Sequence, residues 1–285
     1  MFEGFETKDI ATSGATINLV QGGSGPPLLL LHGYPQTHTM WHKVAPRLAQ
    51  HYTVVAADLR GYGDSSKPAS DPEHLVYSKR STAQDMAEVM QALGFPEFSV
   101  AGHDRGGRVT HRLTRDYPDR VRKAAFLDII PTVEMWKLTT TALKAGPWHW
   151  YFLMQPEPLP ETLIGNSADY FIRSSFRQGA PVFPPEAVDE YARCFTPGAI
   201  HAMCEDYRAA ATIDLQHDEP DAGAKLAMPV LALWGKTGGA ARNAAPLEVW
   251  QRYADDVRGR EFSCGHYLAE EQPDEVYAEL RAFFG

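Results

Sequence analysis

The sequence predicts an α/β fold: a mostly parallel sheet with helices on both faces and an inserted helical cap. Three observations predict it. Short apolar runs, among them "LLLL" at 28–31 and "VVAA" at 54–57, read as strands buried on both faces. Through the first half of the chain they alternate with longer helical stretches. From residue 132 to about 215 the alternation stops in favour of aromatics, prolines and helical patterns, and afterwards it resumes.

The elements follow in order. "ATINLVQGG" (15–23) and "PPLLLLHG" (26–33) read as strands, and "MWHKVAPRLAQ" (40–50) as a helix despite Pro46. "YTVVAAD" (52–58) is a strand, and "STAQDMAEVMQALG" (81–94) a helix closed by Gly94. "EFSVAGH" (97–103) is a strand, "GGRVTHRLTRDYP" (106–118) a helix stopped near Pro118, and "VRKAAFLD" (121–128) a strand. After the cap come a strand at 228–235, a helix at 246–254, a strand at 259–264 and a final helix at 273–284. The expected division is an α/β core of 1–131 and 216–285 with a cap of 132–215. Ligands of open α/β sheets sit outside the carboxyl ends of the strands. The cap would roof that crevice.

Composition narrows the function. The 285 residues are 44% hydrophobic and 22% charged, as in an ordinary globular protein, and the net charge of −9 argues against nucleic acid or an acidic membrane as partner. "MFEGFETKDI" has no secretory character, and "PPLLLLH" is too short to span a bilayer. The cysteines, Cys194, Cys204 and Cys264, are odd in number and form no C-x-x-C, so reduced thiols in a cytoplasmic protein are expected. The glycine-rich "GGSGPP" (22–27) lacks the features of a phosphate loop. His38 and His42 lack the glutamate of a zinc motif, so neither a metal nor a cofactor is expected.

"VAGHDRGGRV" (100–109) is the most informative stretch. It combines a strand end, a turn bounded by Gly102 and Gly106, and a helix start. Hydrolases with a G-x-S-x-G turn expose a nucleophilic serine there; this chain has Asp104. An isolated Asp in that place would more simply be a helix N-cap. His266, in "SCGHYLAEEQP", lies between the last strand and the last helix, where such enzymes carry their histidine. The orienting acid usually follows the preceding strand, but "LALWGKTGGAARNAAP" (231–246) has no carboxylate. Asp128, at the end of "AAFLD", is the candidate, with a simple turn Asp before Pro131 as the plainer alternative. In "LLLLHGYPQ" the amide of Tyr34 can face the crevice and, with the amide of Arg105, form an oxyanion hole.

Together these features resemble the α/β-hydrolase superfamily over nearly the whole chain. The aspartate nucleophile, the shifted acid and the cap resemble its dehalogenase and epoxide-hydrolase branch. "GHDRGGRV", "LDIIPT", "HW" at 149–150, "CEDYRA" (204–209) and "GHYLAEE" are similar to fluoroacetate dehalogenases. The resemblance implies hydrolysis of a small 2-haloacid, fluoroacetate in particular, to glycolate and halide through an aspartyl ester at Asp104. It also implies halide donors at His149, Trp150 and Tyr207, and a family that is often homodimeric. The partners expected are the haloacid and water.

Chemistry agrees with that implication. A carboxylate can displace a leaving group from saturated carbon, and water activated by His266 can then hydrolyse the alkyl ester. Arg105 and Arg108 share a helix face in a first turn where each cation is disfavoured by about 0.3–1 kcal/mol. A carboxylate substrate accounts for them, because two like charges 4 Å apart repel by roughly 4 kcal/mol at a dielectric near 20. The alternative is that both arginines pair with acids of the cap. The rival activity is epoxide hydrolysis, which uses two cap tyrosines; Tyr151, Tyr170, Tyr191 and Tyr207 keep it open. A binding protein without catalysis is the third reading.

Overall fold

The computed structural model describes residues 1–141, 148–176 and 182–285. Eight strands form one sheet: β1 (Glu6–Ala11), β2 (Thr16–Gly22), β3 (Pro27–Leu31), β4 (Thr53–Ala57), β5 (Phe98–His103), β6 (Val121–Leu127), β7 (Val230–Gly235) and β8 (Val257–Phe262). Their order is β1-β2-β4-β3-β5-β6-β7-β8. The β1–β2 and β2–β4 pairs are antiparallel, and the remaining five are parallel.

Alternate residues of the central strands feed two apolar layers. Leu29, Leu31, Val55, Val100 and Phe126 face one, and Leu28, Leu30, Val54, Ala101 and Leu127 face the other. The first layer is covered by α2 (Lys79–Ala92), α3 (Asp104–Asp116) and α12 (Pro246–Tyr253). The second is covered by α1 (Ala45–Leu48), α13 (Leu268–Glu271) and α14 (Pro273–Phe284). With both faces covered, the parallel strands read as unbroken apolar runs. Among the described residues no helix is long and apolar enough to cross a membrane.

Between β6 and β7 the described chain is helical: α4 (Thr132–Thr141), α5 (Trp148–Leu153), α6 (Leu159–Gly165), α7 (Ala168–Ser174), α8 (Pro185–Cys194), α9 (Pro197–Ala211) and α10 (Ile213–Asp218). A short α11 (Gly239–Asn243) follows β7.

Two elements differ from the sequence reading. Strand β1 was not expected; it is an edge strand of mostly polar residues that pairs with β2 through a tight hairpin, so it shows no apolar run. The helix expected over 40–50 is a 3-10 turn, His38–Trp41, followed by the separate α1. Pro46 has no N–H to donate to a continuing helix, and it sits in the first turn of α1, where none is needed.

Candidate active site

The turn from β5 into α3 sets the site. Asp104 opens α3 with φ +46°, a left-handed conformation that costs a non-glycine residue about 1–3 kcal/mol. Close packing maintains it. A Cβ at Gly33 would lie 2.4 Å from the Asp104 Cβ, one at Gly102 would lie 2.4 Å from the Gly106 carbonyl, and one at Gly106 would lie 2.3 Å from the His32 carbonyl. Asp104 is not the N-cap of α3; His103 holds that position without a side-chain cap bond. The Tyr34 amide donates to Asp104 Oδ1 at 2.9 Å. Burial opposes ionisation of Asp104, but His266 and both arginines more than compensate and bring its pKa to about 2. The group is therefore a carboxylate at neutral pH. Gly102→Ala is expected to destabilise the protein by about 1–3 kcal/mol through overpacking and to displace the turn. Thermal unfolding checks this; an unchanged melting temperature would contradict it.

Asp128, directly after β6, has φ +51° and is buried. Its Oδ2 lies 2.5 Å from His266 Nδ1 and accepts from the Gly239 amide at 2.8 Å, while Oδ1 accepts from the Gly235 amide at 3.2 Å. The loop after β7 thus supplies amides where a carboxylate is more usual. Gly238 belongs to that arrangement, because a Cβ there would lie 2.2 Å from Asp128 Oδ1. The indole of Trp250 donates to the Ile129 carbonyl at 3.0 Å and anchors the same turn from below.

With Nδ1 facing a carboxylate, His266 has Nε2 free as a base. Nε2 lies 3.8 Å from Asp104 Oδ2, too far for a hydrogen bond. Burial lowers the imidazole pKa, but Asp128 and Asp104 together raise it above the ordinary value. His103 backs this ring at 4.6 Å, and its Nε2 is 2.8 Å from the His266 carbonyl. Burial and the neighbouring imidazole hold His103 neutral, with a pKa of about 4.

The two arginines differ. Arg105 pairs with Asp206 of α9, as the salt-bridge alternative anticipated, and its Nη1 is buried without a hydrogen-bond partner among the described residues. Arg108 has no ion pair among the described residues; its Nη1 donates to Thr132 Oγ1 at 3.1 Å and the Ile130 carbonyl at 3.3 Å, and its Nε has no partner. Burial and the nearby Arg105 lower the Arg108 pKa to about 10, which leaves it charged. The site therefore contains a buried cation within electrostatic reach of Asp104, with no carboxylate bound to it among the described residues.

His149 and Trp150 converge although they are adjacent on α5. The Tyr207 ring of α9 meets each at 5.8 Å between centroids. Tyr34 stacks on His149 at 5.8 Å and meets Tyr207 edge-on at 5.3 Å. Trp150 and Tyr207 are buried, and the Tyr207 hydroxyl has no hydrogen-bond partner among the described residues. Burial holds His149 neutral, with a pKa of about 4. Arg108 lies 4.6 Å over the Trp150 ring and Arg105 4.2 Å over that of Tyr207. The aromatic cluster and the arginines thus form one continuous wall, close enough to Asp104 for its charge to act on His149 and Tyr207.

Of the tyrosines weighed for epoxide opening, only Tyr207 belongs to this wall. Tyr151 and Tyr170 are exposed, and Tyr191 donates to Glu270 Oε1 at 2.8 Å while accepting from Gln36. The sequence reading missed Asp206, Lys79 and Tyr62, which support Arg105, and also missed the Tyr34 ring. "CEDYRA" was noticed without a role for its aspartate.

Comparison with known proteins follows the same line. The family model described as the alpha/beta hydrolase fold matches residues 26–273. A fluoroacetate dehalogenase from Burkholderia sp. is 45% identical over 99% of this chain and 95% of its own. A soluble epoxide hydrolase from Corynebacterium sp. is 33% identical over 95% of this chain and 94% of its own. A solved structure from Nostoc sp. PCC 7120, described as an alpha/beta hydrolase, superposes with a TM-score of 0.95 at 52% identity and covers 100% of this chain and 99% of its own.

Proposed function

The chain belongs to the α/β-hydrolase family, and on that premise we propose that it hydrolyses a small 2-haloacid, with fluoroacetate the leading candidate, to glycolate and halide. One observation carries the reading: an ionised aspartate at the nucleophile turn lies within electrostatic reach of a buried arginine, Arg108, that has no ion pair among the described residues. A neutral epoxide or haloalkane would leave that charge uncompensated.

The substrate carboxylate binds at Arg108 and at Nη1 of Arg105. Asp104 Oδ2, the oxygen not held by the Tyr34 amide, displaces halide from the carbon next to the carboxylate, and the C–O bond forms as the C–halogen bond breaks. Tyr207, Trp150 and neutral His149 offer the leaving halide an O–H and ring N–H donors. His266 Nε2 then takes a proton from water as the water adds to the Asp104 carbonyl carbon. Negative charge develops on Oδ1, where the Tyr34 and Arg105 amides receive it. As the intermediate collapses, the departing glycolate oxygen takes the proton from His266, the Asp104 C–O bond to it breaks, and the remaining acid proton of Asp104 passes to solvent, which restores the carboxylate and the neutral imidazole.

The test is a substrate panel: fluoroacetate, chloroacetate, a neutral chloroalkane and styrene oxide, each followed for halide, glycolate or diol. Both haloacetates are expected to yield halide and glycolate, with little turnover of the neutral compounds. Diol formation from styrene oxide, with both haloacetates untouched, would favour the epoxide hydrolase reading despite the single well-placed tyrosine.

A further inference from the structure

Arg105 is held in an unusual way for a side chain that binds substrate. A guanidinium has five N–H donors. Nε donates to Asp206 Oδ2 at 2.7 Å, and Nη2 donates to Asp206 Oδ1 at 2.9 Å and to the Asp206 carbonyl at 2.8 Å. Only the two N–H groups of Nη1 remain, and Nη1 is buried without a hydrogen-bond partner among the described residues. Asp206 is itself seated from the other side. Lys79 Nζ donates to Oδ1, and the Tyr62 hydroxyl donates to Oδ2 at 2.8 Å. Lys79 opens α2 and donates its backbone N–H to Asp214 Oδ1 at 2.7 Å. Arg105, Lys79, Asp206 and Asp214 are all buried, and two positive charges match two negative ones.

This network joins the nucleophile helix, α2, the loop after β4 and the helices inserted before β7. It also removes the freedom of Arg105 to turn its fork. Because Arg105 follows Asp104 directly, a fixed Nη1 fixes the distance between the carboxylate subsite and the attacking oxygen.

On the reading that the site takes haloacids, we propose that Asp206, seated on Lys79 and Tyr62, is a positioning residue that sets which acids react. By locking Arg105 it favours acids whose halogen is on the carbon next to the carboxylate over acids with an additional methylene. A charge pair present only for stability would hold the fold together without affecting this selection.

The experiment compares the unaltered protein with Asp206→Asn and with Asp206→Asn/Lys79→Met. The double variant removes one charge of each sign and keeps the cluster neutral. Glycolate affinity is measured by calorimetry, and kcat/KM is measured on chloroacetate and 3-chloropropanoate, with thermal unfolding followed separately. In the folded double variant, glycolate is expected to bind at least about tenfold more weakly, and the preference for chloroacetate to shrink by a similar factor. A smaller change in either quantity overturns the proposal, as does absence of glycolate binding to the unaltered protein. If neither variant folds, Tyr62→Phe decides: it removes one donor and no charge, and is expected to raise KM for chloroacetate with kcat retained, whereas an unchanged KM overturns the proposal. The two readings fail separately. Absence of halide release by the unaltered protein sinks the haloacid reading, while the glycolate comparison still judges the clamp.

Discussion

His266→Asn is expected to release one halide per site from chloroacetate and then stop. Displacement of halide by Asp104 requires no proton transfer, the turn that carries Asp104 is fixed by Gly33, Gly102, Gly106 and the Tyr34 amide, and both arginines still favour its carboxylate when the imidazole is gone. Hydrolysis of the ester does require a base, and asparagine cannot accept the proton of the attacking water. Loss of a general base typically costs about 10²–10⁴ in rate, so the ester should accumulate. Rapid-quench halide measurements and the mass of the intact protein, increased by one carboxymethyl group, check this. If the variant releases no halide in the first turnover, His266 also acts in displacement and the division of labour is wrong.

The same chemistry predicts a pH effect. Burial works against the imidazolium, but the Asp128 and Asp104 carboxylates raise the His266 pKa above its ordinary value in the free enzyme. The base is active when neutral, so activity is lost as pH falls through that pKa. Esterification removes the Asp104 charge and with it one of the raising influences. The acidic limb of ester hydrolysis is therefore expected at lower pH than the titration of His266 in the free protein, which single-turnover rates and a histidine NMR titration can compare.

The site was legible in sequence where the chemistry is local. Gly102 and Gly106 bracket Asp104 within one turn, and each has a steric reason to be glycine. Asp128 could be found by elimination because the loop after β7 contains no acid; Gly235 at the end of β7 and Gly239 beyond it contribute the amides that hold Asp128. The Arg105 clamp could not be read in this way. Its members are separated by 101 and 127 positions, and nothing in the residues around Asp206 indicates which cation it will meet. The salt-bridge alternative, which paired both arginines with acids of the cap, is met by one of them: Arg105 pairs with Asp206 of the inserted helices, and Arg108 has no ion pair among the described residues. The fold behaved similarly. Buried parallel strands declared themselves by composition, whereas β1, an edge strand with polar residues on its open side, did not.

Trp150→Phe is expected to slow defluorination of fluoroacetate by about 10²–10³, the usual effect of removing one preorganised donor, and to slow dechlorination of chloroacetate far less. Fluoride is compact, so charge developing on it must be met by donors already in place; chloride is more diffuse and leaves carbon more easily. The substitution isolates this effect, because phenylalanine keeps a ring beneath Arg108, which lies 4.6 Å over the indole, and loses only the N–H and part of the ring. Tyr207→Phe should show the same bias. Its hydroxyl is buried without a hydrogen-bond partner among the described residues, a position that is costly to maintain unless a ligand fills it. Neutral His149 carries one ring proton, so its contribution depends on which nitrogen faces the halide. Both substrates are to be measured with each variant at one pH, with folding checked by thermal unfolding. Equal losses on the two substrates would mean that these rings shape the pocket without solvating the leaving group.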